Sequence, residues 1–201
     1  MKFHYWLSWN LLLALARALW GYRRSGTDSI PEQGPVIIAC NHISNWDPIL
    51  VGIGCRREVH FMAKEELFRN PLLAKLIRAY NALPVRRGTL DRKALREAAD
   101  ILKRGEVLLM FPSGTRDASG EVRDPKAGVG FIAGMSGAPV VPAYITGSNV
   151  LSDALRRRKK LRVAFGPVMR VVKVGSSDEY REFSMRIAEA IGELRRQVEG
   201  S

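Results

Sequence analysis

Short runs of continuous apolar residues alternate with stretches that repeat apolar residues every three or four positions, and this alternation constrains the fold more than any other feature. Val36-Ile37-Ile38-Ala39-Cys40 is the pattern of a strand buried on both faces, and Val107–Phe111 and Val140–Ile145 repeat it. Leu161–Phe165 and Met169–Val174 read as later strands. Leu72, Leu73, Leu76, Ile77 and Tyr80 mark a helical face entered through Asn70-Pro71, a cap followed by proline at the first turn. Leu90, Ala94, Leu95, Ala98, Ile101 and Leu102 mark another helix, closed by Gly105. Phe183, Ile187, Ala190, Ile191, Leu194 and Val198 form one stripe of a last helix. The alternation predicts an α/β domain with a mixed, largely parallel central sheet flanked by helices. No internal repeat is present.

The N-terminus departs from this pattern. Tyr5–Trp20 reads YWLSWNLLLALARALW, interrupted only by Ser8, Asn10 and Arg17. That is short for a membrane span, which needs about 20 apolar residues. Trp6, Trp9 and Trp20 favour a headgroup boundary, and Arg17, Arg23 and Arg24 suit lipid phosphates. Three tryptophans and an internal arginine argue against a signal peptide, although Ala14-Leu15-Ala16 imitates a cleavage site. A helix buried in the globular domain is the competing reading. The expectation is a membrane-associating helix over residues 1–25, then a turn-rich linker at Ser25-Gly26-Thr27-Asp28 and one domain over 26–201.

Length and charge narrow the classes. The chain has 201 residues, the size of one ordinary domain. Lys plus Arg number 32 and Asp plus Glu 20, a net charge of +12 that calls for an anionic partner. Two cysteines, at 40 and 55, build neither a disulfide framework nor a four-thiolate zinc site. The run Arg156-Arg157-Arg158-Lys159-Lys160 suits nucleic acid or an acidic lipid surface. No zinc, helix-turn-helix or interleaved aromatic pattern supports the nucleic-acid reading.

Chemistry-bearing residues gather where the predicted strands end. Asn41-His42-Ile43-Ser44-Asn45-Trp46-Asp47-Pro48 follows the first strand. Five positions apart, His42 and Asp47 would diverge by about 140° on a regular helix. They meet only if the segment turns, with Asp47 capping a helix and Pro48 at its first position. His42 then has the carboxylate needed to fix its tautomer as a general base. Phe111-Pro112-Ser113-Gly114-Thr115-Arg116 follows a second strand, offering a permissive glycine, a hydroxyl and a guanidinium for phosphate. Lys64, Arg86 and Arg87 stand at further junctions. Taken singly, each cluster is equally compatible with a polar loop.

Their order resembles the glycerolipid acyltransferase family, most closely its bacterial 1-acyl-sn-glycerol-3-phosphate acyltransferases. Asn41, His42 and Asp47 match the NHxxxxD block, and Lys64 and Arg87 the second. Phe111, Pro112, Gly114, Thr115 and Arg116 match FPEGTR, and Val141, Pro142 and Ile145 the fourth. Ser113 stands where the family usually carries Glu.

The resemblance implies acyl transfer from acyl-CoA or acyl carrier protein to the sn-2 hydroxyl of lysophosphatidate, giving phosphatidic acid for phospholipid synthesis. It implies His42 as base and Asp47 as its partner, with Lys64, Arg87 and Arg116 on the phosphate. Asn41, Ser113, Gly114 and Thr115 would position substrate or stabilise the oxyanion. It implies no cofactor, metal or nucleic-acid partner. Anionic lipids would hold the chain at the cytoplasmic face of the plasma membrane, as a peripheral or monotopic protein. Ser113 leaves two alternatives, another lyso-lipid acceptor or a lipid-binding protein with weakened catalysis. Cys40, at the end of an apolar run, is expected to be a buried structural thiol.

Overall fold

The computed structural model describes residues 3–86, 92–151, 160–171 and 176–200. Arg87, Leu90, residues 156–159 and residues 172–174 lie outside the described residues.

Seven strands form one sheet: β1 (Arg23–Ser25), β2 (Val36–Cys40), β3 (Val59–Lys64), β4 (Ala82–Val85), β5 (Val107–Met110), β6 (Val140–Thr146) and β7 (Arg162–Phe165). Their spatial order is β1-β7-β6-β2-β5-β3-β4. Every pairing is parallel except β6 with β7, so the sheet is mixed and largely parallel as expected. From β2 the chain lays β3 and β4 on one side, returns for β5, then crosses to the other side for β6. The carboxyl ends of β6, β2 and β5 therefore lie side by side, where α/β sheets place their sites.

β2 explains the two-sided core. Val36, Ile38 and Cys40 pack with helices α1 (Phe3–Trp20) and α2 (Asp47–Gly54). Ile37 and Ala39 face α4 (Arg92–Lys103), α5 (Gly128–Ser136) and α6 (Ser177–Glu199). All five β2 residues are fully buried, and burying each large aliphatic side chain contributes about 2 kcal/mol. The stripe on α6 is buried through Phe183, Ile187, Ile191 and Leu194. Its start carries a capping box between Ser176 and Glu179.

Three expectations change. Ser25 is not linker: Arg23–Ser25 is edge strand β1, parallel to β7, because backbone pairing overrides the polarity of these residues. Met169 makes only an isolated antiparallel bridge to Val140. Helix α3 (Pro71–Ala79) has its expected cap, with the Asn70 side chain accepting from the N–H groups of Leu72 and Leu73. Its apolar face is nonetheless only partly covered: Leu73, Ile77 and Tyr80 are half-buried, while Leu72 is 81% and Leu76 56% exposed.

Helix α1 is docked on one side and bare on the other. Tyr5, Leu13 and Ala16 are buried, and the Tyr5 hydroxyl accepts from the Val59 N–H. The indole N–H of Trp9 donates to the Cys55 carbonyl at 2.8 Å, and that of Trp20 to the Leu151 carbonyl at 3.0 Å. Arg24 donates to the Gly54 carbonyl and lies over the Trp9 ring. Trp9, Trp20 and Arg24, expected to meet lipid, thus spend their polar ends holding α1 to the domain. Trp6, Arg17 and Arg23 are exposed, beside Phe3, Leu7, Leu11, Leu15 and Leu19. Among the described residues, no helix is long and apolar enough to cross a membrane.

Candidate active site

The loop leaving β2 is pinned before it presents any chemistry. Asn41 is fully buried, and its side-chain amide donates to the Ile145 carbonyl at 3.0 Å while its amide oxygen accepts from the Ile145 N–H at 2.7 Å. The side chain therefore continues the β2–β6 ladder past the end of the strand. Both of its polar ends are engaged, so Asn41 holds the loop in place rather than reaching toward a substrate.

One residue later the chain turns, bringing His42 and Asp47 together. Nδ1 of His42 lies 2.8 Å from Oδ2 of Asp47, with Asp47 fully buried and His42 7% exposed. The expected cap is shifted by one residue: Trp46 is the N-cap of α2, and Asp47 lies inside its first turn. Its carboxylate bends back to the loop instead. Oδ2 also accepts from the backbone N–H groups of Ile43 and Ser44, at 2.7 and 2.8 Å. These donors stabilise a buried negative charge that would otherwise be costly. An acceptor at Nδ1 places the imidazole proton there and leaves Nε2 free to take another.

Phe111, just past β5, stacks on the imidazole with ring centroids 4.0 Å apart and planes 17° from parallel. A cavity of about 340 Å³ opens beside the ring, lined by His42, Met62, Leu109, Phe111, Lys126 and Val129. Its lining is largely apolar, with a cation at Lys126.

The Phe111–Arg116 loop reaches the cavity in a defined shape. Gly114 has φ +67°, a conformation that favours glycine, and its N–H closes a turn onto the Phe111 carbonyl at 2.9 Å. That N–H, expected near the oxyanion, is already engaged. The Ser113 hydroxyl donates to the Thr115 carbonyl at 2.7 Å. Thr115 and Arg116 are exposed, as is Lys64 at the end of β3. Arg86 pairs with Glu65 at 2.7 Å. The Asp117 N–H donates to the His42 carbonyl at 2.8 Å, tying this loop to the first.

Cys40 behaves as a structural thiol. Burial, and then the nearby Asp47 charge, push it well above the ordinary thiol range.

Two side chains at the site escaped the sequence reading. Lys126 lies over Gly114, its Nζ 3.5 Å from where a Cβ would stand there, and its backbone N–H donates to the Pro112 carbonyl. A cation just before the apolar start of α5 was the available signal. Ser148, beyond β6, bonds Asp47 across 101 residues of sequence. No local pattern points to it.

Comparison with known proteins identifies the family. A sequence model of acyltransferases matches residues 22–146, spanning both loops and strands β2 to β6. The chain belongs to the acyltransferase family. It is 32% identical over 152 residues to the 1-acyl-sn-glycerol-3-phosphate acyltransferase of Bacillus subtilis, covering 75% of each chain. It is 32% identical over 136 residues to the Streptococcus pneumoniae protein of the same name, covering 66% of this chain and 50% of that one. The crystal structure of the 1-acyl-sn-glycerophosphate acyltransferase from Thermotoga maritima superposes with a TM-score of 0.68 at 26% identity. That match covers 97% of this chain and 84% of the other. This chain is thus an acyltransferase with the α/β architecture of that enzyme.

Proposed function

We propose that this acyltransferase esterifies the sn-2 hydroxyl of lysophosphatidate with an acyl group from acyl-CoA or acyl carrier protein, forming phosphatidic acid for phospholipid synthesis. The observation that carries the reading is the His42–Asp47 pair, dry, oriented and opening onto an apolar cavity. His42 Nε2 removes the proton from the acceptor hydroxyl as its oxygen attacks the thioester carbonyl carbon. The tetrahedral oxyanion collapses, the carbon–sulfur bond breaks, and the imidazolium returns the proton to the leaving thiolate. Asp47 keeps the tautomer and stabilises the imidazolium. The scheme uses no metal or cofactor.

Phosphate recognition falls to two exposed cations, Lys64 at the end of β3 and Arg116 next to the cavity-lining Thr115, with Arg87 supplied by the family pattern. Lys126 is the cation facing the cavity beside His42, suited to the developing oxyanion. The bare face of α1, with Trp6, Leu11 and Leu15, and the bare leucines of α3 support a peripheral membrane contact, and the net charge of +12 supports an anionic surface such as the cytoplasmic face. Transfer of labelled acyl groups from either thioester to lysophosphatidate tests the reading. Phosphatidic acid is the expected product, lost in His42→Ala. Transfer only to lyso-lipids lacking the phosphate overturns the acceptor assignment.

A further inference from the structure

Asp47 has a second oxygen, and it too is held. The Ser148 hydroxyl lies 2.5 Å from Oδ1, donating to it, and Ser148 is 1% exposed. We propose that Ser148 is a positioning residue of the catalytic machinery, the third member of a His42–Asp47–Ser148 chain. This rests on His42 acting as the base.

The geometry separates two tasks on one carboxylate. Oδ2 faces the loop and accepts from His42, Ile43 and Ser44. All these donors come from residues within five positions of Asp47, so they fix the carboxylate only relative to its own loop, whose backbone is held by Asn41 and by the Asp117 N–H. Ser148 arrives from the turn just after the neighbouring strand β6 and fixes the plane of the carboxylate from outside that loop. The imidazole plane follows, because its Nδ1–H must meet Oδ2 in line. Asn41 does the same for the backbone by bonding Ile145 on that strand. β6 and the turn after it thus anchor the base at two points, one on main chain and one on carboxylate.

The turn is built to deliver this hydroxyl. Gly147 has φ +83°, and a Cβ there would stand 2.6 Å from the Lys160 carbonyl oxygen, so only glycine lets the chain bend directly after β6. Ser148 then opens a short 3-10 turn ending at Val150. A buried hydroxyl bonded to a buried carboxylate is a charge-assisted contact, and removing it strands Oδ1 without that donor.

The test is Ser148→Ala, assayed for acyl transfer with both substrates varied and the fold followed by circular dichroism. Misorientation of the base lowers kcat by about 10-fold to 100-fold and leaves both KM values near wild type, because Ser148 touches neither substrate. A folded Ser148→Ala with kcat within twofold of wild type overturns the proposal, as does a loss carried by KM alone. Should the alanine variant not fold, Ser148→Cys keeps the volume with a weaker donor and is held to the same criteria. His42→Ala runs alongside. Retained activity there sinks the base assignment itself, whereas an inactive His42→Ala beside a fully active Ser148→Ala sinks only the role of Ser148.

Discussion

The end of β2 and the surface of α1 and α3 invert the usual partition of side chains in opposite senses. Around β2 the polar groups are dry: Asn41, Asp47 and Ser148 are at most 1% exposed, and each is bonded to another part of the fold. On α1 and α3 the apolar groups are wet, from Phe3 at 76% to Leu72 at 81%. Neither arrangement serves stability. Burying polar groups gains little even when every bond is made, and exposing leucines forfeits about 1.5–3 kcal/mol each. A fold carries such costs where something else completes it, and under the proposed function that is a reacting hydroxyl at the first region and a lipid surface at the second.

The dry region fails hardest when broken. His42→Ala removes the proton acceptor and should cost about 10²–10⁴ in kcat while the circular-dichroism spectrum stays native. Wild-type turnover in that variant would show that the buried polar cluster is scaffold.

Among the exposed cations, Lys64→Met and Arg116→Met should each raise KM for lysophosphatidate by about tenfold. KM for the thioester should stay within twofold. Equal rises for both substrates would assign these cations to general folding or to the donor.

The wet region is tested without deleting it, since Tyr5, Leu13 and Ala16 belong to the core. Leu11→Glu with Leu15→Glu places two charges on the bare face of α1. Sedimentation with anionic vesicles should fall several-fold, and so should activity on acceptor embedded in them. Activity on a water-soluble short-chain lyso-lipid should hold. Unchanged vesicle binding would leave the exposed leucines without a lipid partner.

The same contrast explains what the sequence disclosed. The buried strands were legible because β2, β5 and β6 are apolar on both faces, which only a covered parallel sheet allows. His42 and Asp47 were legible through the order of the motifs, since the turn marked by proline after aspartate was by itself equally compatible with a polar loop. Ser148 was hidden because its partner lies 101 residues away, and one serine after a glycine is ordinary turn chemistry. β1 was hidden because a three-residue edge strand is set by its neighbour's backbone, whatever side chains it carries. Trp9 and Trp20 misled for a related reason. A tryptophan offers one apolar body and one N–H, and nothing local says whether that N–H will meet a headgroup or a carbonyl such as those of Cys55 and Leu151.

The smallest effect lies on the other face of the sheet, at Tyr144 on β6. Its ring is buried, and its hydroxyl donates to Glu199 at the solvent-facing end of α6 at 2.6 Å. Burial first, then the Glu199 contact, push the phenol well above its ordinary range, so it remains a donor at any working pH. The Tyr144 hydrogen bond, then Arg195, hold the Glu199 carboxyl below the usual range. A depressed carboxyl stabilises the fold above its unfolded pKa, and that contribution fades as pH falls through the folded value. Tyr144→Phe should therefore lower stability by about 1 kcal/mol at pH 7, a figure kept small because Glu199 is half in water. Melting temperatures of the two proteins should converge as pH drops below the ordinary glutamate range near 4. A constant gap across that interval would assign the loss to ring packing. An activity loss larger than the stability loss would mean that the contact also steadies Asn41, because the Cβ absent at Gly120 would sit between the Tyr144 hydroxyl, 3.2 Å away, and the Asn41 amide nitrogen, 3.5 Å away.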